Sequence, residues 1–156
     1  MNIEPRNTWK FYHLGMPVWD LDKTLSNYST LGHISISPEF LIDSEKAEQY
    51  LVYGKTPDPA VLTRGAFVTI GGLELELLQP VEGHTVHKEQ LESVGEGVGH
   101  IAYIVDDLEA EVAELEAKGL SVILSVTPTG QKDRLAAYID TRDKFSNLIL
   151  ELIQKM

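Results

Sequence analysis

The chain of 156 residues contains no cysteine. Disulfide scaffolds, thiol nucleophiles and thiolate metal sites are excluded before any motif is sought, and a bound metal must rest on nitrogen and oxygen. Positive charge is also scarce, with 13 Lys and Arg against 24 Asp and Glu and a formal charge of -11. That balance repels phosphate backbones and anionic lipid surfaces, so neither nucleic acid nor a membrane is an expected partner. Long apolar runs are missing too: nothing approaches the roughly 18 residues that cross a bilayer, and the opening MNIEPRNTWK carries no apolar signal core. A cytoplasmic location is the expectation. The remaining composition, 43% hydrophobic and 24% charged, is that of an ordinary folded chain, and the length predicts one domain over residues 1–156.

What the sequence does have is an internal repeat. Residues 13–32 (HLGMPVWDLDKTLSNYSTLG) align without a gap on residues 100–119 (HIAYIVDDLEAEVAELEAKG), matching His13 with His100, Val18 with Val105, Asp20 with Asp107, Leu21 with Leu108 and Gly32 with Gly119. In both copies a short apolar segment ends at an Asp suited to cap a helix. Apolar residues then recur at helical spacing, as Leu21, Leu25 and Tyr28 and as Leu108, Val112 and Leu115, before a glycine stops the helix. A second repeat closes each half, LELELLQ at 73–79 and LILELIQ at 148–154. Strand-like runs lie near 33–37, 62–70, 120–126 and 135–140, and Gly71-Gly72 has the composition of a two-residue hairpin turn. Each half reads as βαβββ, module one over about 9–80 and module two over about 98–156, joined by a polar linker at 81–97 with room for a short helix. The first half is longer, and residues 43–60 are the natural place for the surplus, read as a specificity loop.

Alternation along a strand sorts side chains by face. Leu73, Leu75 and Leu77 fall beneath the first helix and leave Glu76 opposite, while Leu148, Leu150 and Leu152 leave Glu151 opposite between Ile149 and Ile153. His13 and His100 fall on that same far face. A carboxylate between two isoleucines is costly to bury unless it is paired or coordinated. A lone strand histidine is more often a packed or surface residue, and a lone glutamate is usually solvated. The matched pair of each argues for more, with a cavity that holds no metal as the alternative. Two imidazoles and two carboxylates brought together by a pseudo-twofold suit one divalent cation among Zn, Ni, Co, Fe and Mn. Glu74 reads as a solvent-facing or rim residue, His33 has no matched partner, and His84 and His87 read as surface histidines in polar surroundings.

These segments, with FVTIGGLELELLQP and AAYIDTRDKFSNLILELIQ, resemble the vicinal oxygen chelate superfamily across nearly the whole chain. The resemblance implies an α+β fold in which two βαβββ modules form a curved mixed sheet around a metal-binding cavity. Carried over position by position, it gives His13, Glu76, His100 and Glu151 as metal ligands. The text around Glu76 and from Asp140 to Glu151 is most similar to methylmalonyl-CoA epimerases, whereas the His, Glu, His, Glu set is similar to bacterial glyoxalase I. LTRGAFVTI lacks the extra carboxylate that some epimerases carry, and DTRDKFSN is longer than the glycine-bearing turn usual in glyoxalase I.

The expected activity is that of a metal-dependent isomerase or lyase. It abstracts a proton next to a carbonyl of a small substrate with adjacent oxygens, and the enolate is chelated on the cation. Glu151 is the first choice for the base, because apolar flanks raise a carboxyl pKa, and Glu76 is the second. Thr63, Phe67 and Thr69 are candidate substrate contacts on the cavity face. A metal-free binding protein of the same fold and an extradiol-type dioxygenase are the alternatives, the latter disfavoured by a fourth protein ligand. The resemblance also implies a homodimer.

Overall fold

The computed structural model describes residues 9–154; residues 1–8, which hold most of the polar N-terminal stretch, and residues 155–156 lie outside the described residues. The first half runs β1 (Lys10–Pro17), α1 (Leu21–Ser29), β2 (Ile34–Ile36), β3 (Phe40–Asp43), a 3-10 turn (Ser44–Lys46), β4 (Gln49–Val52), β5 (Leu62–Ile70) and β6 (Leu73–Glu82). Helix α2 (Val86–Ser93) lies in the linker. The second half runs β7 (His100–Val105), α3 (Leu108–Ala117), β8 (Val122–Thr127), β9 (Ala136–Ile139) and β10 (Ile149–Gln154). Among the described residues the strands form one open mixed sheet of ten, in the order β2-β5-β6-β1-β7-β10-β9-β8-β4, with β3 also paired to β5. No helix among them is long and apolar enough to cross a membrane.

The repeat is visible in the pairing. β6 lies parallel to β1 and antiparallel to β5, while β10 lies parallel to β7 and antiparallel to β9. β1 and β7 then join the halves as an antiparallel pair at the centre. The turn between β5 and β6 is the expected Gly71-Gly72, with φ of 56° and 79°, the left-handed pair that a tight hairpin of matching twist requires.

Each helix is fixed twice at its start. Asp20 and Asp107 are the N-caps, accepting from the backbone N–H of Lys23 and Ala110. The repeated glutamines at the end of β6 and β10 supply the second tie. Gln79 Oε1 accepts the first helical N–H, that of Leu21, at 2.8 Å, and Gln154 Oε1 accepts that of Leu108 at 2.6 Å. A helix leaves its first N–H groups without partners, and each module closes one of them with its own last strand. Leu21 and Leu108 are 0% and 1% exposed, and burial of each side chain contributes about 1.5–3 kcal/mol. α1 packs with Leu14, Met16, Leu75 and Leu77, and α3 with Tyr103, Val105, Leu150 and Leu152, which are the inward faces that alternation predicts.

Residues 43–60 depart from the expected loop. They supply the 3-10 turn and β4, which crosses to the other half and pairs with β8 at the sheet edge. Tyr50 and Val52 of β4 join Val61, Val86, Leu124, Tyr138 and Ile149 in a third apolar cluster. The segment is therefore structural: its alternate residues fill the module-two half of the face away from α1 and α3.

Replacing Gln79 or Gln154 with Ala is expected to lower unfolding free energy by about 1 kcal/mol each, since a buried helical donor loses its acceptor. Urea unfolding followed by circular dichroism measures this; two losses below about 0.3 kcal/mol would show that the repeated glutamines do not hold the helices.

Candidate metal centre

His13 stands on β1, Glu76 on β6, His100 at the start of β7 and Glu151 on β10, four strands that are consecutive in the sheet. One donor atom from each lies within 4.8 Å of every other, and all four residues are buried. Nε2 of His13 is 3.2 Å from Nε2 of His100, 3.4 Å from Glu76 Oε1 and 3.3 Å from Glu151 Oε2. His100 Nε2 is 3.5 Å from Glu76 Oε1 and 3.1 Å from Glu151 Oε2. Ligand bonds of ~2.0–2.2 Å at tetrahedral to octahedral angles require neighbouring donors roughly 2.9–3.5 Å apart, and these separations fall in that range. Glu151 Oε2 is fully buried and accepts no hydrogen bond, although two imidazole nitrogens are nearby. In the metal-free protein a ring N–H lies between the two Nε2 atoms; once it leaves, two imidazole lone pairs and two carboxylates converge on one point, which is the donor set of a cation.

Small residues make room for the rings. In the central β1–β7 pair Gly15 lies opposite His100 and Ala102 opposite His13, the same relation twice. A Cβ on Gly15 would stand 1.7 Å from His100 Cε1, so the imidazole occupies the space a side chain there would need. Each glutamate has an aromatic cross-strand neighbour, Phe67 for Glu76 and Tyr138 for Glu151. These rings meet the histidines edge to face, Phe67 at 5.5 Å from His13 and Tyr138 at 5.1 Å from His100.

Around this pseudo-dyad the two flanks differ. Tyr138 is enclosed by Tyr50, Leu124 and Ile149, and α2 brings His87 against it at 5.5 Å. On the other flank Phe67 is half-buried, with Tyr12 and Phe40 at 6.2 and 5.6 Å. Tyr12 reaches this face through a β-bulge: Phe11 pairs with Tyr103 and His13 with Ala102, leaving Tyr12 as the extra residue, its ring 4.6 Å from that of His13. Of the expected contacts, Phe67 adjoins the cluster. Thr63 pairs with Pro80 and Thr69 with Glu74, so both lie further along the strand, Thr63 with a buried hydroxyl that has no partner. Glu74 is half-buried, not solvent-facing.

Two expectations are corrected. His87 is 2% exposed rather than a surface residue, whereas His84 is largely exposed. α2 buries Val86, His87, Gln90 and Leu91 together, and because half of that stripe is polar its hydropathy reads as a solvated segment. Glu151 does not have a raised pKa. Burial pushes it up, as its isoleucine flanks predict, but the contacts with His100 and His13 outweigh burial and hold it below the usual range. Glu76 is held low in the same way, by His100 and His13 against burial. Burial alone depresses a histidine, yet the two carboxylates raise His13 to about 9 and raise His100 as well. His87, lacking such contacts, is pushed down by burial and by His100 to about 4. Tyr138 is pushed far up by burial and by Glu151 and Glu76, so its phenol keeps its proton. Tyr12, Tyr138, His87, Gly15 and Ala102 all escape sequence reasoning, since a bulge, a polar helix stripe and cross-strand register are properties of the folded sheet. A cavity of about 640 Å³ between α3 and the 141–148 segment contains none of the four donors.

These shifts fix the pH response of the chelator-treated protein. The raised His13 adds stability that is complete below its ordinary 6.5 and lost as pH climbs through about 9. The depressed His87 removes stability as pH falls from 6.5 toward 4, and the lowered glutamates lose theirs on further acidification. The Tm of metal-free protein should peak near pH 6.5, while metal affinity rises from there to pH 9 as protons leave the imidazoles. A Tm unchanged between pH 6.5 and 9 would contradict the pairing. Gly15→Ala should displace His100 and weaken metal binding at least tenfold by competition titration; wild-type affinity in that variant would show that the close approach does not position the ring.

The family profile described as Glyoxalase/Bleomycin resistance protein/Dioxygenase superfamily matches residues 12–138. None of the curated proteins matches this chain. Among solved structures, the methylmalonyl-CoA epimerase from Mycobacterium tuberculosis is 19% identical, with a TM-score of 0.65 over 94% of this chain and 88% of its own. A methylmalonyl-CoA epimerase in complex with methylmalonyl-CoA and NH4+ is 20% identical, with a TM-score of 0.65 over 96% of each chain. A variant of the Streptomyces coelicolor methylmalonyl-CoA epimerase in complex with 2-nitronate-propionyl-CoA is 21% identical, with a TM-score of 0.67 over 96% of each. At such identities the likeness is one of fold, and together with the profile match over most of the sequence it places the duplicated sheet: the chain belongs to the glyoxalase/bleomycin resistance protein/dioxygenase superfamily.

Proposed function

We propose that this protein is a metal-dependent isomerase or lyase that removes a proton next to a carbonyl of a small substrate carrying adjacent oxygens. One observation carries the reading: two imidazoles and two carboxylates, all buried, bring donor atoms within 4.8 Å of one another, and Glu151 Oε2 is left without a hydrogen bond. His13, Glu76, His100 and Glu151 would hold one divalent cation. When bound, such a cation supplies a Lewis acid that lowers the cost of the oxyanion formed beside the departing proton.

The side chains of this chain account for the remaining steps. Glu151 takes the proton, and Glu76, its counterpart across the pseudo-dyad, is the second carboxylate able to return one. The charged imidazoles hold both carboxyls low in the metal-free protein, and a bound cation would take over that role and keep them ionised. Positioned general-base help of this kind is typically worth about 10² to 10⁴-fold in rate. The substrate approaches past Tyr12 and Phe67, since Tyr50, Tyr138 and α2 fill the other flank. The phenol of Tyr12 is kept protonated by burial and by the charges of Glu74, Glu76 and Glu151, and so offers a hydrogen-bond donor at the mouth. Two of the similar epimerase structures are complexes with acyl-CoA ligands, which supports a carbonyl-bearing substrate with a second oxygen nearby.

Protein purified without chelator should contain about one divalent metal per chain, and His13→Ala or His100→Ala should lose it. Deuterium uptake at the carbon beside the carbonyl, followed by NMR over a panel of 2-oxo acids, 2-hydroxy ketones and acyl thioesters, should identify a turned-over member. Glu151→Gln should slow that uptake at least 10²-fold with metal retained. Wild-type uptake in Glu151→Gln would remove that residue from the reaction, and a metal-free protein that binds but never exchanges would establish a binding role.

A further inference from the structure

We infer that His87, on the helix joining the two halves, is a positioning residue for the metal centre: it accepts the Nδ1–H of His100 and so fixes the ring that presents Nε2. The inference rests on the preceding reading that His100 holds a cation. With Nε2 of His100 facing Glu151 at 3.1 Å and Glu76 at 3.5 Å, its ring proton must reside on Nδ1 when that lone pair is given to a metal. That Nδ1 is fully buried and has no partner, whereas histidine ligands almost always give their second N–H to an acceptor.

The ring beside it is His87. The two centroids are 5.8 Å apart at 43°, and Tyr138 packs edge to face on both, 5.1 Å from His100 and 5.5 Å from His87. Nδ1 of His87 is likewise buried and without a partner. At 5.8 Å between centroids, a hydrogen bond of ~2.7–3.2 Å between ring nitrogens requires the two rings to close up and turn a nitrogen toward one another. Gln90, three residues on along the same buried helix face, has a buried Oε1 that also lacks a partner. Three buried polar groups without partners thus sit on the ligand ring and on the buried face of α2.

The helix is held where this requires. Thr85 Oγ1 accepts from the His87 N–H at 3.3 Å, and Gln90 Nε2 donates at 2.7 Å to the carbonyl of Gly99, the residue before His100. Gly15 closes the opposite side, since its Cα lies against the His100 ring. His13 has no counterpart of His87, because α2 lies between the modules and is not duplicated.

The test uses full-length protein and zinc alone, with affinity read by chelator competition and imidazole nitrogens by 15N NMR. His87→Phe keeps a ring and removes both nitrogens, and should weaken zinc binding 10- to 100-fold; His87→Gln retains an acceptor and should stay within about threefold of wild type. In zinc-loaded wild type, the His100 Nδ1 proton should persist against exchange and show a coupling across the hydrogen bond to a His87 nitrogen. That signal needs no variant and stands if His87→Phe fails to fold. Zinc binding by His87→Phe within about twofold of wild type, or a His100 Nδ1–H without the coupling, overturns the role of His87 alone. Wild type that takes up no zinc overturns the metal reading with it.

Discussion

Two carboxylates and two imidazoles drawn within 4.8 Å of one another and away from water are tolerable only if their charges cancel. With no cation, protons on the histidines do this, which is why His13 and His100 are raised while Glu76 and Glu151 are lowered. With a cation those protons become unnecessary, and donor spacings of 3.1–3.5 Å suit the exchange. The surrounding sheet serves this convergence. Each histidine faces a residue small enough to admit its ring, and each glutamate is backed by an aromatic ring from the adjacent strand.

Duplication supplies the symmetry of this arrangement, and the unduplicated parts break it. β4 and α2 come from the insertion and the linker; β4 pairs with β8 and α2 lies against β1 and β6, and between them they bring Tyr50, Val86 and His87 to the side of His100 and Tyr138. His13 instead faces Tyr12 and Phe67, on the flank that lacks such cover. A symmetric donor set thus has two unlike flanks. That makes a pair of equivalent carboxylates chemically inequivalent, one beside an enclosed phenol and one beside a half-buried phenylalanine.

Much of this was legible in the amino-acid order, because alternation and helical spacing are local rules. The faces of Leu73, Leu75 and Leu77, the caps Asp20 and Asp107 and the turn at Gly71-Gly72 all follow from residues within a few positions of one another. The meeting of His13, Glu76, His100 and Glu151 followed from the repeat, which turns one local pattern into a two-sided one. What escaped depends on contacts between distant segments. The bulge that turns Tyr12 inward is a register shift against β7, and the edge pairing of residues 49–52 is made with β8, some seventy residues away. His87 reads as a surface residue because a polar residue buried against other polar groups leaves no hydropathy signal. The isoleucines beside Glu151 in the sequence point to a raised pKa, whereas the two histidines that reverse the shift are neighbours only in space.

X-ray absorption at the edge of the bound metal tests the central claim most directly. Protein loaded with one divalent ion per chain should show a first shell containing two imidazole nitrogens, with their outer-ring scattering, and two carboxylate oxygens at ~2.0–2.2 Å, with solvent completing any larger shell. An all-oxygen shell without imidazole scattering would place the ion elsewhere and contradict the convergence of His13, Glu76, His100 and Glu151 on a single cation.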